Sequence, residues 1–94
     1  MPYMVVRHKV QDYSTWKTIF DEHRSTRQAA GSLGGRLFRS ADDRNELVML
    51  LEWDDMEKAR EFAESKELRD TMKRAGVSDS PDVYFLIEVE QLSA

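Results

Sequence analysis

Apolar residues in the first third of the chain recur in two rhythms, one typical of a strand and one typical of a helix. Residues 3–10 alternate between two faces, which predicts a first strand. From Tyr13 to His23 the apolar side chains stand three or four residues apart, on one stripe of a helix. Asp12 occupies the N-cap position of this helix, which we expect to run from Tyr13 to Ala30 and to end at Gly31.

The middle of the chain has the pattern of a β-hairpin. Residues 31–35 contain three of the four glycines and form a breaker segment. Arg36 to Ser40 then has strand character, and the polar stretch 41–45 predicts a turn. Glu46 to Trp53 is the third predicted strand, which pairs with the second as an antiparallel hairpin.

The second half of the chain predicts another helical region and a final strand. Asp54 and Glu57 stand three residues apart, as in a capping box, with Asp54 at the N-cap. Helical spacing continues from Met56 to Ala75, but the apolar stripe shifts by about one position, so we expect a break near Ser65. A glycine ends this region, and Asp82 to Glu90 is the last predicted strand.

The predicted order β-α-β-β-α-β is that of the ferredoxin-like α+β fold, in which the helices cover one face of an antiparallel four-stranded sheet. We expect one such domain over residues 1–94. Two strands carry fully apolar runs, Leu47–Leu51 and Val83–Ile87. A strand with one face in water should instead alternate apolar and polar residues. A second copy covering the free face would bury both sides, so we predict a homodimer through that sheet face. The alternative is a monomer with a few exposed apolar side chains.

Composition and charge exclude several classes of protein. The 94-residue chain contains no cysteine, which removes disulfides and thiolate metal sites and suits the cytoplasm. Its formal net charge of −4 argues against nucleic acid or an anionic membrane as a partner. Neither a signal-peptide pattern nor a metal-ligand motif is visible, and the apolar runs are far shorter than the roughly 20 residues that span a bilayer. We therefore expect no metal, no nucleic acid and no membrane partner.

The chain has two histidines, and both fall on predicted apolar faces. His8 shares a side of the first strand with Met4 and Val6, while His23 lies on the apolar stripe of the first helix. Counted from the turn between strand and helix, His8 is about 13 Å away and His23 about 16 Å. The two rings could therefore approach each other and abstract a phenolic proton, because imidazole titrates near neutral pH. The alternative is two half-buried histidines that hydrogen-bond their neighbours.

Aromatic and cationic side chains could form the wall of a pocket for a flat substrate. Trp16, Trp53 and Tyr84 are large aromatic residues of this kind. Core packing between helix and sheet is the alternative for Trp16. Arg36 could stabilise a developing anion, with a structural ion pair as its alternative.

Five short motifs carry a resemblance to a known superfamily. They are Val6–Val10, Asp12-Tyr13 with Trp16, Phe20 with His23, Gly34–Arg36 and Leu51–Asp55. With these motifs the chain resembles, over nearly its whole length, the dimeric α+β barrel proteins of the antibiotic biosynthesis monooxygenase superfamily. The resemblance implies a homodimer with a pocket between each sheet and its helices.

Two branches of that superfamily differ from this chain in their functional residues. Haem-degrading members use a His on the second helix, an Asn on the first strand and a Trp at the end of the third strand. Here only Trp53 matches, so haem degradation is not expected. Quinone-forming members need no cofactor and bind a phenol with Trp, Asn, Tyr and Arg side chains, whereas the sole Asn here is Asn45, in a predicted turn.

The resemblance thus implies cofactor-independent oxygenation or cyclisation of a small aromatic or polyketide-like molecule. We expect His8 and His23 to be the catalytic bases, with no cofactor. The pocket wall would comprise Trp16, Arg36, Trp53 and Tyr84. A domain of the same fold that binds a small ligand without turnover is the alternative function.

Overall fold

Four strands and four helices make up residues 2–94, the part of the chain that the computed structural model describes. In chain order they are β1 (Pro2–Lys9), α1 (Tyr13–Glu22), α2 (Arg24–Ala30), β2 (Ser32–Arg39), β3 (Glu46–Trp53), α3 (Met56–Glu64), α4 (Lys66–Arg74) and β4 (Asp82–Ile87). The strands form one antiparallel sheet in the order β2-β3-β1-β4. This confirms the predicted ferredoxin-like α+β fold. None of the helices within residues 2–94 is long and apolar enough to cross a membrane.

The two faces of the sheet have different surroundings. Along β3 the side chains of Leu47, Met49 and Leu51 are buried, whereas those between them are only half-buried. On β1, Met4 pairs with Leu51 and His8 pairs with Leu47, so the even-numbered side chains of β1 share the buried side. We call this side, which packs against the helices, the inner face, and the opposite, partly exposed side the outer face.

The first helical region breaks at His23, so the prediction of one continuous helix is wrong. Asp12 caps α1 as predicted, because its carboxylate accepts hydrogen bonds from the backbone N–H and the hydroxyl of Thr15 at 2.9 and 2.7 Å. Gly31 ends α2 as predicted, with a φ of 116° that favours glycine. The break turns the chain between α1 and α2 and leaves the His23 side chain buried.

The second helical region also has two parts. Ser65 caps α4 by accepting a hydrogen bond from the Leu68 N–H at 3.2 Å, which confirms the break predicted there. The N-cap of α3 is Asp55 rather than the predicted Asp54, because the Asp55 carboxylate accepts from the Glu57 N–H at 2.9 Å. Asp54 instead forms an ion pair with Lys58 at 3.2 Å.

Two strands differ in length from the prediction. β2 begins at Ser32 and includes most of the glycine-rich segment, with a bulge between Ser32 and Gly34. Gly35 permits this pairing, because a Cβ there would overlap the backbone carbonyl of Leu50. β4 ends at Ile87 rather than the predicted Glu90, and its last pair with β1 is Ile87 with Pro2.

Candidate functional site

An apolar cavity of about 70 Å³ lies between the inner face and the helices. At about 15 Å³ for each water, it has room for a few water molecules or a molecule the size of dioxygen. Most of its lining is aliphatic or aromatic. The lining side chains that carry polar groups are His8, Trp16, His23, Arg27 and Thr71.

His8 reaches the cavity from the inner face of β1 and is only 2% exposed. Its Nδ1 has no hydrogen-bond partner within residues 2–94. The ring of Trp16 meets the His8 ring edge-on, with 5.7 Å between centroids. Burial lowers the pKa of His8 below its ordinary 6.5, and nearby Asp79 offsets this only in part. The imidazole is therefore uncharged at neutral pH and free to form a hydrogen bond through Nδ1.

His23 enters the same cavity from the break between α1 and α2 and is 8% exposed. Its Nε2 is buried and makes no hydrogen bond with the described residues. Glu67 Oε1 on α4 lies 3.5 Å from Nε2, at the outer limit of a hydrogen bond but within ion-pair distance.

A row of contacting rings runs along the cavity from His8 to Arg27. Trp16 stacks on Phe20 with 4.7 Å between centroids and 18° between planes. The guanidinium of Arg27 lies over the other end of this stack, 3.7 Å from the Phe20 centroid. Arg27 also donates a hydrogen bond of 2.7 Å to the Phe20 carbonyl, which lies next to the helix break. Two contacts thus fix the position of Arg27 at the cavity wall.

A larger cleft of about 450 Å³ adjoins the cavity and is bounded by the first two helices and the start of β2. The cavity and the cleft share four lining residues, Phe20, Arg27, Met49 and Leu51. Arg24 on α2 and Arg36 on β2 border the cleft but not the cavity. A molecule held in the cleft would therefore lie next to the cavity that holds both histidines.

The structure brings together three of the six site residues predicted from sequence: His8, His23 and Trp16. Trp53 lies on the inner face, but it is fully buried against Phe62, with 5.3 Å between ring centroids, and does not line the cavity. The expectation that Trp53 forms part of the same pocket wall is corrected, because α3 covers it at the end of β3.

Arg36 and Tyr84 lie on the outer face. Arg36 pairs with Leu50, Leu50 with Val5, and Val5 with Tyr84, so these residues form one cross-strand row. Neither side chain lines the cavity of the histidines. Their predicted place in that pocket wall is therefore also corrected; Arg36 borders the adjoining cleft, and Tyr84 is 59% exposed.

Arg27 is the cavity residue that the sequence patterns missed. It follows His23 by four residues and Phe20 by seven, so it continues the helical stripe that points at the sheet. The signal in the sequence that could have identified Arg27 is a charged side chain at a position on the apolar stripe of the helix. The turn at the helix break could not be foreseen from spacing alone, and that turn places Arg27 over Phe20.

The side chains of the cavity support proton transfer and hydrogen bonding. Within residues 2–94 no group of three or more His, Asp or Glu side chains could hold a metal ion. A neutral imidazole in an apolar, water-poor cavity can accept a proton from a weak acid, because His titrates near neutral pH. The arrangement therefore suits deprotonation of a phenol or a similar acidic group.

Sequence and structure comparisons agree on one family. The family of antibiotic biosynthesis monooxygenases matches residues 8–74. A Bordetella bronchiseptica protein provisionally assigned to that class superposes with a TM-score of 0.79 at 17% identity, covering 95% of this chain and 97% of that one. SnoaB, a cofactor-independent oxygenase from Streptomyces nogalater, superposes with a TM-score of 0.77 at 15% identity, covering 99% and 97%.

A third structure, from Caulobacter crescentus and also provisionally assigned to this class, gives a TM-score of 0.74 at 18% identity, covering 95% of this chain and 90% of that one. No curated protein matches the sequence significantly. At these identities the structural similarities establish the fold, whereas an activity depends on the site.

Proposed function

This chain belongs to the antibiotic biosynthesis monooxygenase family, and on that basis we propose that it is a single catalytic domain that oxygenates a small aromatic molecule without a cofactor. One observation carries the proposal: two buried histidines line the same apolar cavity, each with a ring nitrogen that has no hydrogen-bond partner within residues 2–94. Buried polar atoms are normally paired, so these nitrogens favour a polar group of a bound molecule or water as their partner.

The reaction we propose is the conversion of a phenol to a quinone. A phenol that loses its proton is electron-rich enough to reduce dioxygen directly. One oxygen atom forms the new carbonyl on the ring, and the other leaves as water with the hydrogens lost from the ring carbon and the hydroxyl. Phenol and dioxygen thus balance quinone and water, with no external reductant. The similarity to SnoaB, a cofactor-independent oxygenase, favours oxygenation over cyclisation.

His23 and His8 take different parts in this proposal. His23 accepts the phenolic proton, since its Nε2 is buried at the cavity without a hydrogen-bond partner in residues 2–94 and Glu67 Oε1 lies 3.5 Å away to hold the ring in place. His8 is kept uncharged by burial and hydrogen-bonds the substrate oxygen through the ring nitrogen that has no protein partner. Trp16 provides the aromatic wall between the His8 ring and Phe20. Glu67 is a positioning residue, since it acts through His23.

Oxygen uptake under air tests the proposal. Hydroxynaphthalenes and hydroquinones of increasing size are supplied to the full chain, and uptake is recorded with product spectra. We expect His23→Gln to lower kcat by about 100-fold and His8→Gln by about tenfold or more, as for lost proton-transfer groups. Glu67→Gln should lower kcat with less effect on KM. Arg44→Gln, on the exposed hairpin turn, is the matched control and should keep the full rate.

Two outcomes would overturn the assignment. Absence of uptake and of product with every compound in the panel would contradict an oxygenase. Uptake that is unchanged in both histidine variants would contradict their catalytic roles. Binding of a panel compound without any turnover would instead support the second function, a ligand-binding domain of the same fold.

We also propose that the chain forms a homodimer through the outer face. Phe38, Tyr84 and Leu86 lie there and are 49%, 59% and 43% exposed. Their burial against a second copy would gain roughly 25 cal/mol for each Å² of apolar surface removed from water. Light scattering at micromolar concentration should give twice the chain mass of 11.0 kDa. A stable species of single-chain mass would contradict the dimer.

A further inference from the structure

The cleft beside the histidine cavity is lined by positively charged side chains, whereas the chain as a whole is negatively charged. The whole sequence carries a formal net charge of −4. The described lining of the cleft nevertheless includes two arginines of α2, Arg24 and Arg27, and no Asp or Glu. Arg36 also borders the cleft, but its side chain lies on the outer face. The cleft has a volume of about 450 Å³, and the charged side chains of its described lining are all positive. It therefore suits an anion better than a surface of mixed charge would.

Neither the Arg24 nor the Arg27 guanidinium forms an ion pair with the described residues. Arg7, by contrast, contacts carboxylates of Glu46, Asp79 and Asp82 at 2.7 to 3.1 Å on the outer face. Among residues 2–94, the guanidinium of Arg27 donates a hydrogen bond to the Phe20 carbonyl, a neutral acceptor. Burial and the neighbouring Arg24 lower the pKa of Arg27, and Asp21 offsets this only in part. A ligand carboxylate would supply the missing opposite charge.

Arg27 is also the residue that connects the two spaces. It lines the cavity and the cleft, and its position over the Phe20 ring is fixed by a hydrogen bond and a cation–π contact. A fixed fork of donors binds a carboxylate with less loss of side-chain freedom than a free side chain would. An anion held by Arg27 therefore places the rest of its molecule at the entrance to the histidine cavity.

The remaining lining of the cleft is apolar enough for an aromatic ring. Leu33, Leu37, Met49 and Leu51 border it together with Phe20. This mixture suits an aromatic body with an acidic substituent better than a small inorganic anion, which would leave those side chains without a partner.

From this geometry we propose that the cleft selects aromatic substrates that carry a carboxylate, with Arg27 as the central anion-binding residue and Arg24 at the rim. The inference deepens the oxygenase assignment and rests on it, because that assignment places the reacting hydroxyl at the histidines and so orients the substrate ring. The carboxylate lies in the cleft, and the hydroxyl-bearing edge of the ring faces His8 and His23.

Binding of a matched pair of compounds tests the selectivity without turnover. The probes are 5-hydroxy-2-naphthoate, whose hydroxyl and carboxylate are on different rings, and its uncharged amide, titrated calorimetrically into the full chain under nitrogen. The acid should bind about tenfold or more tightly than the amide, and the difference should shrink as salt is raised. Arg27→Gln should remove most of that difference, while Arg69→Gln on α4, outside the cleft, should preserve it.

A second variant keeps the test valid if loss of Arg27 disturbs folding. Arg24 is exposed, so Arg24→Gln should fold and should lower affinity for the acid by about twofold or more. Equal affinity of acid and amide for the unaltered chain, or undiminished selectivity in both variants, would overturn the inference.

The results separate this inference from the oxygenase assignment. Selective binding of the acid with no oxygen uptake would support the anion cleft and contradict the oxygenase. Uptake with neutral phenols and no preference for the acid in binding or in kcat/KM would support the oxygenase and overturn the anion cleft.

Discussion

The inner and outer faces of the sheet are built from the same four strands but perform different tasks. On the inner face, Leu47 and Trp53 are fully buried, and His8 is the polar member of the row. On the outer face, Leu50 is half-buried and Tyr84 is mostly exposed. The contrast shows that the apolar sequence of β3 has two causes. One face forms the core and the cavity, and the other presents an apolar surface.

The polar groups of the two faces also differ in how they are satisfied. On the outer face, Arg7 has three carboxylate partners. On the inner face, His8 Nδ1 has none among the described residues, although its burial is far greater. A satisfied ion-pair network is typical of structure, whereas an unpartnered buried nitrogen on a cavity wall is typical of a site.

The largest expected effect comes from comparing two leucines on β3. Leu47→Ala removes a fully buried side chain and should lower the free energy of unfolding by about 3 kcal/mol. Leu50→Ala, three residues away on the outer face, should cost about 1 kcal/mol or less. Urea unfolding of both variants at one protein concentration measures the difference. Equal losses would contradict the assignment of one face to the core.

The next effect concerns assembly rather than folding. Leu86→Lys places a charge in the outer face and should weaken the dimer by about 100-fold, because a charged group would be buried at the contact. Ala29→Lys, on the exposed side of α2, is the matched control and should leave the dimer intact. Sedimentation over a range of concentrations measures both. A variant Leu86→Lys that remains dimeric would place the contact elsewhere.

A smaller effect is expected from pH. Burial lowers the pKa of His8 in the folded chain, so between that value and 6.5 the unfolded chain binds more protons. The stability from the neutral ring is fully present above about pH 6.5 and is lost as the pH falls below it. Urea unfolding from about pH 7.5 to 5.5 should show this decline, and His8→Gln should reduce it. An identical decline in His8→Gln would contradict the assignment.

The smallest effect is expected at the ion pairs of the outer face. Arg7→Met removes three contacts with acids, yet the groups are partly exposed and screened by water. The free energy of unfolding should change less than in Leu47→Ala, and the change should diminish further in high salt. Loss of stability as large as that of Leu47→Ala would show that the network is structurally central.

Most of the fold could be predicted from the chain because strands and helices have distinct periodicities. β3 matches its prediction from Glu46 to Trp53, and the break at Ser65 was visible in the shifted stripe. The break at His23 could not be read in this way, because the apolar stripe continues through it. The N-cap of α3 was misplaced by one residue, since Asp54 and Asp55 are equally good caps.

The candidate site was only partly predictable. The rise per residue of a strand and of a helix places His8 and His23 at similar distances from the turn between β1 and α1. In the structure both side chains line one cavity. Residue type alone grouped Tyr84 and Arg36 with them, although strand alternation sends these two side chains to the outer face. Which face of a strand meets the helices is decided by tertiary packing, and a single sequence contains no direct signal for it.

The central claim is that the histidine cavity uses dioxygen itself as the oxygen donor, and isotope labelling tests it most directly. The purified chain is incubated with an accepted phenol under ¹⁸O₂ in unlabelled water, and the quinone is analysed by mass spectrometry before its carbonyls exchange with water. We predict one heavy oxygen atom in each product molecule, with little product from His23→Gln. An unlabelled product, or equal labelled yield from His23→Gln, would contradict the account.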